Sequence, residues 1–131
     1  LKSKLTKNSS QHKIFKMTIE EIVQNANAKV ITGKIPAQQE VEQVFASDLM
    51  SDVLTIETDK NLLLITGLAN IQTIRTCEMS DIYVILFVRG KKVTPEMKEL
   101  AEEHGMTLLE TDYSMYRTSG VLYAAGLLPV Y

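Results

Sequence analysis

Ile82-Tyr83-Val84-Ile85-Leu86-Phe87-Val88 is a run of seven apolar residues, four of them β-branched, with Ser80-Asp81 before it and Arg89-Gly90 after it. Successive side chains on a strand point to opposite faces, so a half-exposed strand alternates apolar with polar. A run apolar at both parities needs cover on both faces, as at the centre of a parallel sheet flanked by helices. Seven residues is short for a buried helix, and the flanking Asp and Gly favour turns. The run reads as the central strand of an α/β domain.

The whole chain has 131 residues, enough for one domain with a core that needs no disulfide or metal. No apolar run approaches the roughly 20 residues of a membrane helix, so no membrane partner is expected. The Lys-rich opening carries no apolar leader segment. Cys77 is the single cysteine, which suits a reducing cytoplasm, and it reads as a small buried side chain rather than a reactive thiol. Charge is unevenly placed. Lys2, Lys4, Lys7, Lys13 and Lys16 precede every acid, which leaves a net −7 from Met17 onward. An acidic body repels phosphate backbones, so nucleic acid is not an expected partner.

Residues 1–16 read as a mobile basic tail or linker, with Met17 as the natural start of a domain over 17–131. Thr18-Ile19-Glu20-Glu21 fits a capping box, opening a short helix with a stripe of Ile19, Ile22 and Val23. A strand at 29–32 closes at Gly33, and 34–43, with Pro36 and three glutamines, reads as loop or irregular edge. Val44-Phe45-Ala46 is the next strand. Ser47 follows as a helix N-cap, with Asp48 in the first turn and Leu49, Met50, Val53 and Leu54 along one side. Residues 61–66 form a second doubly buried strand, and Asn70 opens a helix carrying Ile71, Ile74 and Met79. Thr94-Pro95-Glu96 starts a helix that ends at Gly105. A strand at 106–111 and a last helix, capped by Asp112 and ending at Gly126, complete the rhythm. Strand and helix in alternation predict a mostly parallel sheet with right-handed crossovers.

Chemistry is sparse. Neither Gly33-Lys34 nor Gly90-Lys91 has the glycines and following Ser or Thr of a phosphate-binding loop, and Gly67 alone does not make a dinucleotide fingerprint. His104 reads as a helix-end residue, not a metal ligand, and Ser119 lacks a nucleophile elbow. Asp48 and Asp52, four apart, are expected to share a helix face and to stabilise its dipole rather than to do acid–base work. No metal, cofactor or catalytic residue is predicted. Polar residues instead collect at the carboxyl ends of the predicted strands, where ligands bind in open α/β sheets. They are Ser47, Asp48, Thr66, Gly67, Arg89, Gly90, Thr111, Asp112, Tyr113 and Ser114. Arg89 can hold a carboxylate or phosphate, with help from the amides at Asp112–Ser114. Ordinary loop and cap roles are the alternative.

Val44-Phe45-Ala46-Ser47-Asp48-Leu49-Met50-Ser51-Asp52-Val53-Leu54 resembles the segment that follows the name motif in DRTGG-domain proteins. Leu64-Ile65-Thr66-Gly67, Ile85-Leu86-Phe87-Val88-Arg89-Gly90 and Leu109-Glu110-Thr111-Asp112-Tyr113-Ser114 extend the resemblance over about residues 17–127. Gln38-Gln39-Glu40-Val41-Glu42-Gln43-Val44 stands where Asp-Arg-x-Val-x-Gly-Gly is the family pattern, a departure at the motif itself. The resemblance implies a three-layer α/β/α sandwich similar to the N-terminal domain of HPr kinase/phosphorylase. Related domains occur beside CBS pairs and inside some phosphotransacetylases, and the kinase P-loop of HPr kinase lies in its other domain.

The function this implies is a non-catalytic, cytoplasmic regulatory module that binds a small anionic ligand or a protein partner. A small enzyme with a site near Arg89 and Asp112, and a pure assembly domain, are the alternatives. A homodimer is also expected. Met115, Tyr116, Leu122 and Tyr123 form one apolar stripe on the last helix, and Val121, Ala124, Ala125 and Leu128 a second. A helix on one sheet face needs one stripe, so the second needs another cover. Residues 127–131, Leu128 among them, then end the chain with five apolar residues in a row. The alternative is that this tail folds back and covers the stripes itself.

Overall fold

The computed structural model describes residues 15–33 and 39–131. Most of the expected basic tail, residues 1–14, therefore lies outside the described residues, and so does Pro36 of the expected loop. Phe15 is half-buried, and its ring would lie 3.4 Å from a Cβ on Gly126, so this residue packs on the body of the domain.

Strand β1 (Met17–Thr18) leads into helix α1 (Ile19–Ala26). The capping box forms: Glu21 N–H donates to Thr18 Oγ1 at 3.1 Å, and Thr18 N–H donates to Glu21 Oε1 at 2.9 Å. Ile19, Ile22 and Ala26 face inward, and Asn27 ends the helix in the left-handed region at φ 50°. Strand β2 (Ala28–Val30) follows at once. Strand β3 (Glu40–Val41) pairs antiparallel with β1, a two-residue pairing within the stretch whose composition reads as loop or irregular edge.

The remaining elements are β4 (Gln43–Ala46), α2 (Met50–Val53), β5 (Leu62–Thr66), α3 (Ile71–Met79) and β6 (Val84–Phe87). They continue with α4 (Pro95–Glu103), β7 (Thr107–Thr111), α5 (Met115–Ala124) and β8 (Leu128–Pro129). Among the described residues the main sheet has the order β2-β7-β6-β5-β4-β8. All neighbours are parallel except β2, which runs antiparallel to β7. The chain is thus a mixed α/β domain with a mostly parallel sheet between helical layers.

Strand parity explains the doubly apolar runs. Leu63 and Ile65 of β5, with Leu86 of β6 and Leu109 of β7, meet Ile22 of α1 and Leu122 of α5 on one face. Leu62 and Leu64, with Ile85, Phe87 and Leu108, meet Ile74 and Cys77 of α3 and Met97 of α4 on the other. Helices α3, α4 and α5 stop in the same way. Asp81, Gly105 and Gly126 take positive φ, and the following amides of Ile82, Met106 and Leu127 donate to Cys77, Ala101 and Leu122 carbonyls. That pairing satisfies otherwise orphaned helix-end carbonyls.

Several sequence expectations shift. The central run begins as a strand only at Val84; Tyr83 before it is 40% exposed, although its carbonyl already accepts from Thr107 N–H at 2.8 Å. Ser47 does not cap α2. The N-cap is Leu49, which makes no side-chain cap bond, and Asp48 lies outside the helix, so it shares no helix face with Asp52. Only Val53 of that short helix is fully buried; Leu49 and Leu54 are exposed, as is Met79 of α3. The cap of α5 is Ser114, whose Oγ accepts from Arg117 N–H at 3.1 Å, not Asp112. The last residues do fold back, as β8 beside β4, but Tyr116, Tyr123, Leu128 and Tyr131 remain exposed.

Candidate functional site

Because β4 to β7 are parallel, their carboxyl ends share one rim of the sheet. At the end of β4, Ser47 N–H donates to Ile65 O at 3.0 Å and so continues the ladder one residue further. Ser47 Oγ then accepts from Leu49 N–H at 3.0 Å, forming a local turn. That turn sends the Asp48 side chain across to the end of β5. Its Oδ1 accepts from Gly67 N–H at 2.6 Å and from Thr66 Oγ1 at 3.1 Å.

Arg89 reaches the same carboxylate from the end of β6. Both Arg89 and Gly90 adopt positive φ, 59° and 70°. Their amides donate to Tyr113 O at 2.8 Å and Thr111 O at 3.0 Å, which ties the end of β6 to the chain leaving β7. The guanidinium Nη2 lies 3.7 Å from Asp48 Oδ2, with the two side chains 49% and 51% exposed. A Cβ on Gly67 would stand 2.5 Å from this nitrogen, so the absence of a side chain there gives Arg89 its path to Asp48. An amide, a hydroxyl and a guanidinium thus converge on one oxyanion, a donor set suited to phosphate or carboxylate.

The other predicted residues go elsewhere. Thr111 is buried, donates its hydroxyl to Ala26 O at 2.6 Å and accepts from Tyr113 N–H at 3.2 Å. The Tyr113 amide is therefore taken, Ser114 is occupied as a cap, and Arg117 stacks its guanidinium 3.8 Å from the Tyr113 ring centroid. Asp112 lines a second cleft of about 300 Å³ with Asn27, Lys29, Lys92 and Glu110. Asn27 and Lys29 arrive there because β2 runs antiparallel, so that Ala28 stands opposite Thr111 at the rim. Sequence reasoning missed these four residues. The one signal was Glu110, a charge inside an otherwise apolar and Thr-containing strand. Arg89 takes Asp48 as its ion-pair partner rather than Asp112.

A third concavity, about 450 Å³, lies between the β4–β8 edge and α5 and is almost wholly apolar, with Phe45, Tyr116, Tyr123, Val130 and Tyr131 in its walls. Burial pushes the Cys77 thiol up to about 12, which leaves it inert as a nucleophile. Among the described residues no group of three His, Cys, Asp or Glu side chains is placed to hold a metal ion. Among the same residues no helix is long and apolar enough to cross a membrane.

The DRTGG domain family model matches residues 21–125. The chain belongs to the DRTGG domain family. In this DRTGG domain the segment that replaces the name motif forms β3 and the start of β4, with Gln38 outside the described residues. Gln39 is described, and its side-chain oxygen accepts from Thr107 Oγ1. A solved structure with similar fold holds the CBS and DRTGG domains of the regulatory region of Clostridium perfringens pyrophosphatase, complexed with its activator diadenosine tetraphosphate. The TM-score is 0.68 at 16% identity, over 87% of this chain and 48% of that one. This DRTGG domain therefore spans about half the length of that neighbour. No curated protein matches the sequence.

Proposed function

We propose that this DRTGG domain is a non-catalytic regulatory module whose carboxyl rim binds a small anionic ligand. The observation that carries the reading is the convergence of Gly67 N–H, Thr66 O–H and the Arg89 guanidinium at the ends of β5 and β6. Family membership supports a regulatory role, since a similar domain lies in the regulatory region of a pyrophosphatase that is activated by a nucleotide. The pairing of Arg89 with Asp48 weakens the alternative of an enzyme built on Arg89 and Asp112. A single buried thiol suits a reducing cytoplasm. The test is a thermal-shift screen against nucleotides, phosphorylated metabolites and acyl compounds, because a ligand selective for the folded state raises the melting temperature. A concentration-dependent rise with a phosphorylated compound supports the reading; no rise with any compound opposes it.

A second reading, self-association as a homodimer, is favoured by the apolar concavity beside α5, where Tyr116 is 90% and Tyr131 80% exposed. Clusters of exposed aromatics of this kind mark contact surfaces. Sedimentation at micromolar concentration distinguishes a pair of chains from a monomer of 14.7 kDa.

A further inference from the structure

We infer that Asp48 is the resident anion of the rim, a built-in stand-in for the ligand's own oxyanion, and that a phosphate or carboxylate group binds by displacing it. The inference rests on the reading of this rim as the ligand site. Among the described residues, each polar partner of the Asp48 carboxylate is a donor that would serve a ligand oxyanion equally: the Gly67 amide at 2.6 Å, the Thr66 hydroxyl at 3.1 Å and the Arg89 guanidinium at 3.7 Å. Two of these are fixed by the fold. Thr66 ends a central strand with Gly67 directly after it, and the Thr66 hydroxyl is oriented further by accepting from Leu68 N–H at 3.1 Å.

Asp48 itself is the movable member. It stands in the Ser47–Leu49 turn, outside any helix, and half of its side chain is open to solvent. Helix α2 does not need it, because its N-cap is Leu49 with no side-chain cap bond. Swinging Asp48 out exchanges its bonds for the ligand's, while the freed carboxylate regains water. The net cost is therefore a difference between similar terms rather than the loss of a buried charge pair. Gly67 shapes the same pocket, since any side chain there would push the Arg89 guanidinium aside.

The arrangement makes the resting domain selective. A weak or singly bonding anion does not outcompete a carboxylate already tethered at the site, whose effective concentration is set by a short linker. A ligand must offer further contacts, and its binding then releases the β4–α2 turn.

The test is to titrate the full chain and its Asp48→Ala variant with inorganic phosphate and, separately, with acetate, following the Gly67 and Arg89 amides by NMR. Removing the tethered competitor is expected to tighten phosphate binding by about tenfold or more, with acetate filling the vacated place in the variant alone. Asp48→Ala/Arg89→Ala should lose the gain. If Asp48→Ala does not fold, Asp48→Ser carries the same expectation, since its shorter neutral side chain removes both the charge and the carboxylate that fills the place. Equal phosphate affinity in wild type and variant, with Gly67 unshifted, overturns the inference and leaves Asp48 as a structural tie. The two readings fail separately. A screen that finds no ligand for the wild type, while Asp48→Ala gains phosphate, removes the regulatory reading alone. A wild-type ligand that shifts Gly67 and Arg89 but binds Asp48→Ala no more tightly removes this one alone.

Discussion

Glu110 Oε2 accepts the Val93 amide at 2.7 Å from the last position but one of β7, where the preceding Leu108 and Leu109 are wholly buried. The carboxylate is only 7% exposed, and Lys92 Nζ lies 3.6 Å from its second oxygen. This contact and the Arg89 and Gly90 amide bonds fasten both ends of the loop that follows β6. The Arg89 guanidinium therefore rides on a segment held at two points rather than on a free loop.

Glu110→Ala leaves the Val93 amide without its acceptor and should destabilise the fold by about 1–3 kcal/mol. Glu110→Gln keeps an acceptor oxygen of the same reach and should cost less. Urea titration of both variants checks the order; equal and negligible losses would mean that the loop is held by other contacts.

Ile85 lies in β6 between β5 and β7 with no solvent exposure. Truncation to alanine should cost about 2–5 kcal/mol, as for other large-to-small core changes. A loss well below that range in urea would show that the site collapses around the cavity or is not central.

Burial raises the Cys77 thiol from its usual 9.0 to about 12. In the unfolded chain the thiol ionises first as pH rises. The contribution to stability is thus complete below about pH 9 and is lost between roughly pH 9 and pH 12. A thiol reagent in mildly alkaline native buffer should fail to label Cys77 and should label it fully in denaturing urea. Rapid stoichiometric labelling of the native chain would contradict this packing.

Gly67→Ala places a methyl group against the Arg89 guanidinium, the far end of a flexible side chain. The guanidinium is expected to move away from Asp48 at a stability cost of about 1 kcal/mol or less, the range of half-exposed ion pairs. Urea titration together with the Arg89 side-chain NMR resonance reads both effects. A large stability loss would mean that the backbone at Gly67, not the guanidinium, meets the added methyl.

The core strands were legible in the sequence because burial on both faces forces apolar residues at both parities, as in Leu62–Thr66 and Val84–Phe87. The Thr18, Asn70 and Thr94 caps were legible because capping is local chemistry. The rim was legible as a set of strand ends but not as a geometry. Ser47 and Asp48 have the residue types of a helix start, yet the Gly67 amide, 19 positions away, draws Asp48 out of that role. Asp112 and Ser114 are both good caps, and only the position of the helix decides for Ser114. Nothing local announces that β2 turns antiparallel and brings Asn27 and Lys29 beside Asp112, since strand order depends on contacts between distant segments. Tyr116 and Tyr123 fall in the sequence on the stripe of Met115 and Leu122, yet only Leu122 of the four is fully buried and the two tyrosines stay exposed.

The central claim is that the rim at Asp48, Gly67 and Arg89 receives an anionic ligand without transforming it. The most direct measurement is one NMR titration of the ¹⁵N-labelled wild-type chain with ATP, Mg²⁺ and phosphorylated metabolites, with the ³¹P spectrum recorded on the same sample. The account predicts that Gly67, Leu68, Arg89 and Gly90 amides shift together with one of these compounds while its phosphorus signals stay those of the starting material. Shifts confined to α5 and β8, or the appearance of a hydrolysed or transferred phosphoryl group, would contradict it.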